Sequence, residues 1–220
     1  YTVPYEMASR VSIISGSLAM TLFPAFSSLG IEHKDSLQRI YVRSIKYLIL
    51  FTGPILLILI LFANDILRIW VGEDFARQGT LVFQFLIIGY LIAVVHPISG
   101  GLFQGLGRPD IVPKLYLAYF PFNIILIWVF VQNMGITGAA LFFALRSLIE
   151  TILYLIISAK FICLPFSSLE ENGLWRSLGA LLIFGMFLLG ASIIDIFAAR
   201  IGIMAIAAPL FIAFVWYYIL

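Results

Sequence analysis

The sequence predicts an all-α fold: a polytopic membrane helix bundle of about seven transmembrane helices in a single domain, 1–220. Composition is the first reason, since 63% of the 220 residues are hydrophobic and 11% charged, against roughly 25% charged in a soluble domain, and the mean hydropathy is +1.11. The second is length: the apolar residues gather in seven stretches of about 17 residues or more, enough for a helix to cross a bilayer. The third is that the connections are short and polar, and none could hold a soluble domain.

The first span, 3–26, is polar for a membrane helix, with Ser9, Arg10, Ser12, Ser15, Gly16, Ser17 and Thr21 inside it and Phe23-Pro24 marking its end. At about 100° per residue, Glu6, Arg10, Ser17 and Thr21 fall within about 60° of one another. This stripe reads as the wall of an aqueous cavity. The plainer reading is a Glu6–Arg10 pair near the interface, with small residues serving helix packing. A polar segment, 27–39, leads into the second span, 40–63. That span is amphipathic at its start through Arg39, Arg43 and Lys46, and apolar from Tyr47 onward. Gly53-Pro54 predicts a kink. Segment 64–78, with Asp65, Arg68, Glu73, Asp74 and Arg77, reads as a loop.

In the third span, 80–103, Gly89, Ala93, His96, Gly100 and Gln104 recur at helical spacing beside Pro97. His96 on this stripe is a candidate for substrate contact, although a histidine on such a face is more often a packed, hydrogen-bonded helix residue. Gly105 to Lys114 is a glycine-rich basic turn, but no strand precedes it and no Gly-Lys-Ser/Thr ending follows, so it is no phosphate loop. The fourth span, 115–131, contains Asn123, and 132–137 is a very short loop.

The fifth span, 137–161, is the unusual one, because Arg146 and Glu150 lie in its interior. Counted from Gly138 at about 1.5 Å per residue, they sit roughly 12 and 18 Å in, on either side of the middle of a ~30 Å hydrocarbon core. Each costs about 3 kcal/mol there on the insertion scale, and such residues face a cavity or a partner. The plain alternative is an i,i+4 pair that neutralises itself, in the weaker Arg-first order. A loop at 163–175, the sixth span at 176–194, a segment at 195–202 and the seventh span at 203–220 complete the chain.

Alternate loops differ in basic content. Lys34, Arg39, Arg43, Lys46, Arg108, Lys114, Lys160 and Arg176 lie on one side, and Arg68, Arg77 and Arg200 on the other. The richer side is expected to be cytoplasmic, which places Tyr1 outside and Leu220 inside. The net charge of +2 is dispersed over separate short loops and forms no basic patch, so it says little of a nucleic-acid partner, and none is expected. The single Cys163 excludes an internal disulfide and a cysteine metal cluster; no metal and no cofactor are expected. The chain opens on Tyr1 without a signal-like start, and reads as part of a longer protein that lacks its N-terminal portion.

Three segments resemble a known family. Tyr-Thr-Val-Pro-Tyr-Glu-Met-Ala-Ser-Arg (1–10) leading to Leu-Phe-Pro-Ala-Phe-Ser-Ser-Leu (22–29), Gly-Gly-Leu-Phe-Gln-Gly-Leu-Gly-Arg-Pro (100–109) and Gly-Ile-Thr-Gly-Ala-Ala-Leu-Phe-Phe-Ala-Leu-Arg (135–146) are similar to oligosaccharide flippases of the O-antigen translocase type. These belong to the multidrug/oligosaccharidyl-lipid/polysaccharide exporter superfamily. The resemblance implies a two-lobed transporter of 12 to 14 helices, of which these would be the eighth to fourteenth. It implies alternating access, a multi-pass location in the cytoplasmic (inner) membrane, and no enzymatic activity. The implied partners are an undecaprenyl-pyrophosphate-linked oligosaccharide such as an O-antigen repeat unit, membrane lipids, the N-terminal lobe of the same protein, and other polysaccharide-assembly membrane proteins.

An anionic pyrophosphate bearing polar sugars calls for a cationic, hydroxyl-lined cavity, and arginine's fork suits phosphate oxygens. Arg10 and Arg146, both inside spans, are the first candidates for substrate binding. Ser17, His96 and Asn123 are candidate polar lining, and Glu150 would hold Arg146 or titrate during coupling. Two other classes stay open. A drug or cation antiporter would want a carboxylate cluster, and a membrane glycan polymerase or ligase would want a long loop with a catalytic constellation; neither pattern is evident.

Overall fold

A computed structural model describes residues 2–30 and 33–192, together with 209, 211, 213 and 215. The seventh expected span, 203–220, and Arg200 therefore lie outside the described residues, apart from those four positions. The described chain is helical from end to end, with no strand among its residues.

The first span is two helices, α1 (Thr2–Ser9) and α2 (Ser12–Leu29). Serines cause the break. Ser9 Oγ donates to Glu6 O at 3.0 Å, Ser12 Oγ to Ser9 O at 2.6 Å and Ser15 Oγ to Ser12 O at 3.0 Å. These hydroxyls compete with the backbone for the same carbonyls. The ladder tightens there to i→i+3 bonds, Val11 N to Ala8 O and Ile13 N to Arg10 O. The expected stop at Phe23-Pro24 does not occur. Pro24 lies within α2, which continues to Leu29, as membrane helices tolerate an interior proline.

Helix α3 (Lys34–Leu61) contains both the amphipathic start and Pro54. The segment read as a loop at 64–78 is mostly helical: α4 (Ala63–Trp70) fills its first half, and α5 (Glu73–Ala93) begins in its second. Ala63 and Leu67, one turn apart, are fully buried and join Leu56, Phe83 and Leu86 in one apolar core. An amphipathic helix, not a loop, satisfies the backbone there.

The third span is also broken, into α5 and α6 (His96–Gly105). Pro97 supplies no N–H to the ladder, so α5 stops just before it and α6 starts on it.

The helical run α7 (Ile111–Phe161) contains Gly135 at φ 57°, ψ −135°, a conformation that only glycine adopts cheaply. It is a hairpin of two arms, 111–134 and 136–161. Pairs across it are centred on the glycine: Phe130 rings with Phe142 at 6.1 Å, and Tyr119 bonds Glu150. A Cβ built on Gly138 would overlap the Phe130 carbonyl oxygen, so the backbones touch near the bend. Two further helices, α8 (Phe166–Glu171) and α9 (Leu174–Ser192), follow.

Helix α5 packs on α7 and α4, α2 packs on α6, and α3 packs on α9. Glycines set the closest approaches: Gly89 faces the Phe143 ring, and Gly105 faces the Phe26 Cβ. The two ends of the molecule differ. At one end Gln38 donates to the carbonyls of Ile162 and Cys163, both at 2.9 Å, and Arg43 donates to Asn172 at 3.1 Å. The Arg108–Lys114 turn is at this end too, since the Phe103 ring meets the Phe161 ring edge-on. There the Arg108 guanidinium, with Lys114 behind it, holds the Asp110 carboxyl well below the usual carboxylate range. α4, α1 and the start of the return arm share a core toward the opposite end, through Leu67, Ala8 and Ala140.

Candidate functional site

Both arms of α7 and the broken third span converge on Glu150, which is 5% exposed. Arg146 Nε donates to Glu150 Oε1 at 2.6 Å, and the Tyr119 hydroxyl donates to the same oxygen at 2.7 Å. His96 Nδ1 lies 3.8 Å from Glu150 Oε2. Its Nε2 is 2.7 Å from Thr151 Oγ1, whose proton goes to Ile92 O at 2.9 Å. That carbonyl belongs to the last turn of α5, where the helical ladder leaves acceptors without partners. The break in the third span thus leaves the Ile92 carbonyl to the Thr151 hydroxyl, which in turn meets His96 Nε2.

The anion is sequestered, while the cation reaches outward. The Glu150 side chain is 6% exposed and that of Arg146 is 35% exposed. The Arg146 guanidinium lies 5.9 Å from the centre of the Tyr116 ring. Nε is its bonded nitrogen, and its terminal nitrogens make no hydrogen bond among the described residues. A guanidinium held at its inner edge, with its fork left over, is suited to receive phosphate oxygens.

His96 stacks on Tyr154 with ring centres 4.9 Å apart. Both residues also line a cleft of about 480 Å³ between α2, α6 and α7. Gly16, Ala19, Met20 and Phe23 form its α2 wall, and Pro97, Gly100, Gly101 and Gln104 its α6 wall, with Val112 below.

Three of the six candidate residues therefore meet: His96, Arg146 and Glu150. The other three are not members of the network. Arg10 is exposed at the break between α1 and α2, and no ion pair joins it to Glu6 among the described residues. Ser17 is exposed and donates to its own helix, to Ile13 O at 2.8 Å, so the expected stripe of the first span is interrupted at Arg10. Asn123 is half-buried on the outgoing arm, one turn beyond Tyr119. Sequence reasoning missed Tyr119, Tyr116, Thr151 and Tyr154. A signal for Tyr119 existed, since with Gly135 as the bend it stands opposite Glu150.

Residues 7–129 match the MatE family model. A Shigella flexneri protein named as an O-antigen transporter is 24% identical over 153 residues, which cover 70% of this chain and 36% of that protein. A Haloferax volcanii protein named as a low-salt glycan biosynthesis flippase is 26% identical over 187 residues, 83% of this chain and 39% of that protein. An uncharacterized membrane protein of Methanocaldococcus jannaschii is 24% identical over 132 residues, 60% of this chain and 26% of that protein. The chain thus spans less than half the length of the curated relatives it matches. No solved structure matches it.

Proposed function

This chain belongs to the MatE family, and from that premise we propose that it is the C-terminal lobe of a flippase for polyprenyl-pyrophosphate-linked oligosaccharide. On this reading the lobe works by alternating access in the cytoplasmic membrane, against an N-terminal lobe of the same protein. The names of the Shigella and Haloferax relatives support the glycan class. The observation that carries the reading is the outward-reaching Arg146, anchored by buried Glu150 beside an open cleft. Arg146 takes the pyrophosphate, Glu150 and Tyr119 keep its guanidinium aimed, and the carrier's hydrocarbon stays in apolar surroundings. The carrier in this proposal is undecaprenyl.

The test separates substrate contact from simple charge pairing. Arg146→Lys is expected to retain part of the flipping, because charge survives while the fork is lost. Arg146→Ala is expected to lose most of it. The double change Arg146→Ala/Glu150→Ala removes both charges, and so restores protein level but not flipping. The readout is surface glycan in a flippase-null host, normalised to protein in the membrane. Wild-type glycan from the double variant would reduce Arg146 to a structural residue.

Orientation has its own test. The basic turns gather at one end of the molecule, and by the excess of Lys and Arg that end faces the cytoplasm. In a Cys163→Ser background, cysteines at Ser36 and Asp74 are expected to react with an impermeant thiol reagent from opposite sides. Labelling of Ser36→Cys from outside intact cells would reverse the assignment.

A further inference from the structure

We propose that the cleft between α2 and α6 is the seat of the isoprenoid units next to the pyrophosphate, and that Gly16 and Gly100 exist to keep it open. The inference rests on the flippase reading and deepens it.

The glycines are the first observation. Glycine inside a helix is destabilising by roughly 0.5–1 kcal/mol relative to alanine, so it needs a reason. For Gly89, Gly105 and Gly138 the reason is close packing, because an added Cβ would meet neighbouring atoms. At Gly16 and Gly100 a Cβ would meet nothing within 4 Å. Both residues line the cleft from opposite walls, so what their missing side chains provide is space for something outside the fold.

The lining is the second observation. Met20, Phe23, Ala19, Pro97 and Val112 offer hydrocarbon. Of the polar lining side chains, His96 already has its Nε2 engaged with Thr151, which leaves the Gln104 amide and the Tyr154 hydroxyl, too few for the several hydroxyls of a sugar ring. A pyranose in such a place would leave several hydroxyls without partners, and each unmet one is costly. An isoprenoid asks for no hydrogen bonds.

Continuity with the cation is the third observation. His96 and Tyr154 belong to both places: they line the cleft, and His96 reaches Glu150, which holds Arg146. An amphiphile with its pyrophosphate at Arg146 therefore has an apolar slot one side chain away. Charge at one end and hydrocarbon at the other match a polyprenyl pyrophosphate and suit a free glycan poorly.

Filling the slot tests this in the intact transporter. Gly100→Leu and Gly16→Leu are expected to reach normal membrane levels, because a Cβ at either site meets nothing within 4 Å and the cleft of about 480 Å³ has room beyond it, and to reduce surface glycan at least tenfold. Gly179→Leu is the control: it lies on α9, where a Cβ also meets nothing within 4 Å, and it should flip normally. In a purified Met20→Cys/Cys163→Ser protein, farnesyl pyrophosphate is expected to slow maleimide labelling. Inorganic pyrophosphate, farnesol and a soluble oligosaccharide should not.

Protection by inorganic pyrophosphate alone would make the slot an anion seat. Equal protection by farnesol would make it a general lipid site, and protection by the oligosaccharide a sugar site; each outcome overturns the proposal. If Gly100→Leu flips normally while Arg146→Ala/Glu150→Ala does not, the isoprenoid seat falls and the flippase reading stands. If both variants flip normally, Arg146 is structural and the seat falls; if the unaltered transporter restores no surface glycan to a flippase-null host, the flippase reading falls and takes the seat with it.

Discussion

Gly138→Val is expected to be the most damaging single substitution in the hairpin of α7. The Cβ would overlap the carbonyl oxygen of Phe130, and the Phe130 carbonyl carbon and Met134 Cβ stand close behind it. Backbone cannot swing aside as a side-chain tip can, so the arms must part. Overpacking that moves only side chains costs about 1–3 kcal/mol, and here the cost is at the top of that range or beyond. The displacement would also draw Tyr119 away from Glu150, because the register of the arms sets that bond. The check is the melting temperature of the solubilised protein, with Gly89→Ala as comparison. At Gly89 the obstacle is the Phe143 ring at 2.5 Å, a side chain that can turn. If Gly138→Val melts no lower than Gly89→Ala, the arms are not in backbone contact and the hairpin is wrong.

Glu150→Ala is expected to have the second-largest effect, and on protein level first. It removes the acceptor for Arg146 and Tyr119 and the carboxylate facing His96. Losing one partner of a buried pair costs about 3–5 kcal/mol. Arg146 is partly exposed, so solvent screens some of that, and about 1–3 kcal/mol is the expected loss. Glu150→Gln keeps an acceptor oxygen while losing the charge, and should fall between. Immunoblots of membrane fractions measure the effect, and the double change with Arg146→Ala should bring the level back. A Glu150→Ala protein as abundant as wild type would mean that the network does not stabilise this helix.

The helical membrane class is legible because hydropathy is a bulk property that no local accident reverses. The two mid-span charges are legible for a similar reason, since each is conspicuous against hydrocarbon. What lies between these scales is harder to read. Periodicity proposes a helix over 3–26, but whether the ladder runs through depends on three serine hydroxyls bonding backwards around Arg10. In the third span Pro97 marks the break, but nothing in the sequence says that the Ile92 carbonyl beside it meets Thr151 from another helix. Charge density hid α4: Asp65 and Arg68 draw the eye, while the buried Ala63 and Leu67 decide the structure. The partners of Glu150 lie on other elements, and only the position of the bend at Gly135 reveals which residues they are.

The one-glycine bend has a consequence for how the protein is made. The arms of α7 are joined by no loop that could be held in the aqueous phase, so they enter the bilayer as one unit. The outgoing arm carries Tyr119 and emerges from the ribosome first. Arg146 follows, and Glu150 one turn later, on an arm already lying against the first. Within that hairpin the carboxylate finds a hydroxyl and a guanidinium without calling on α8 or α9. Its charge is thus matched during insertion, when the translocon weighs each helix against lipid, and does not wait for the rest of the bundle to assemble.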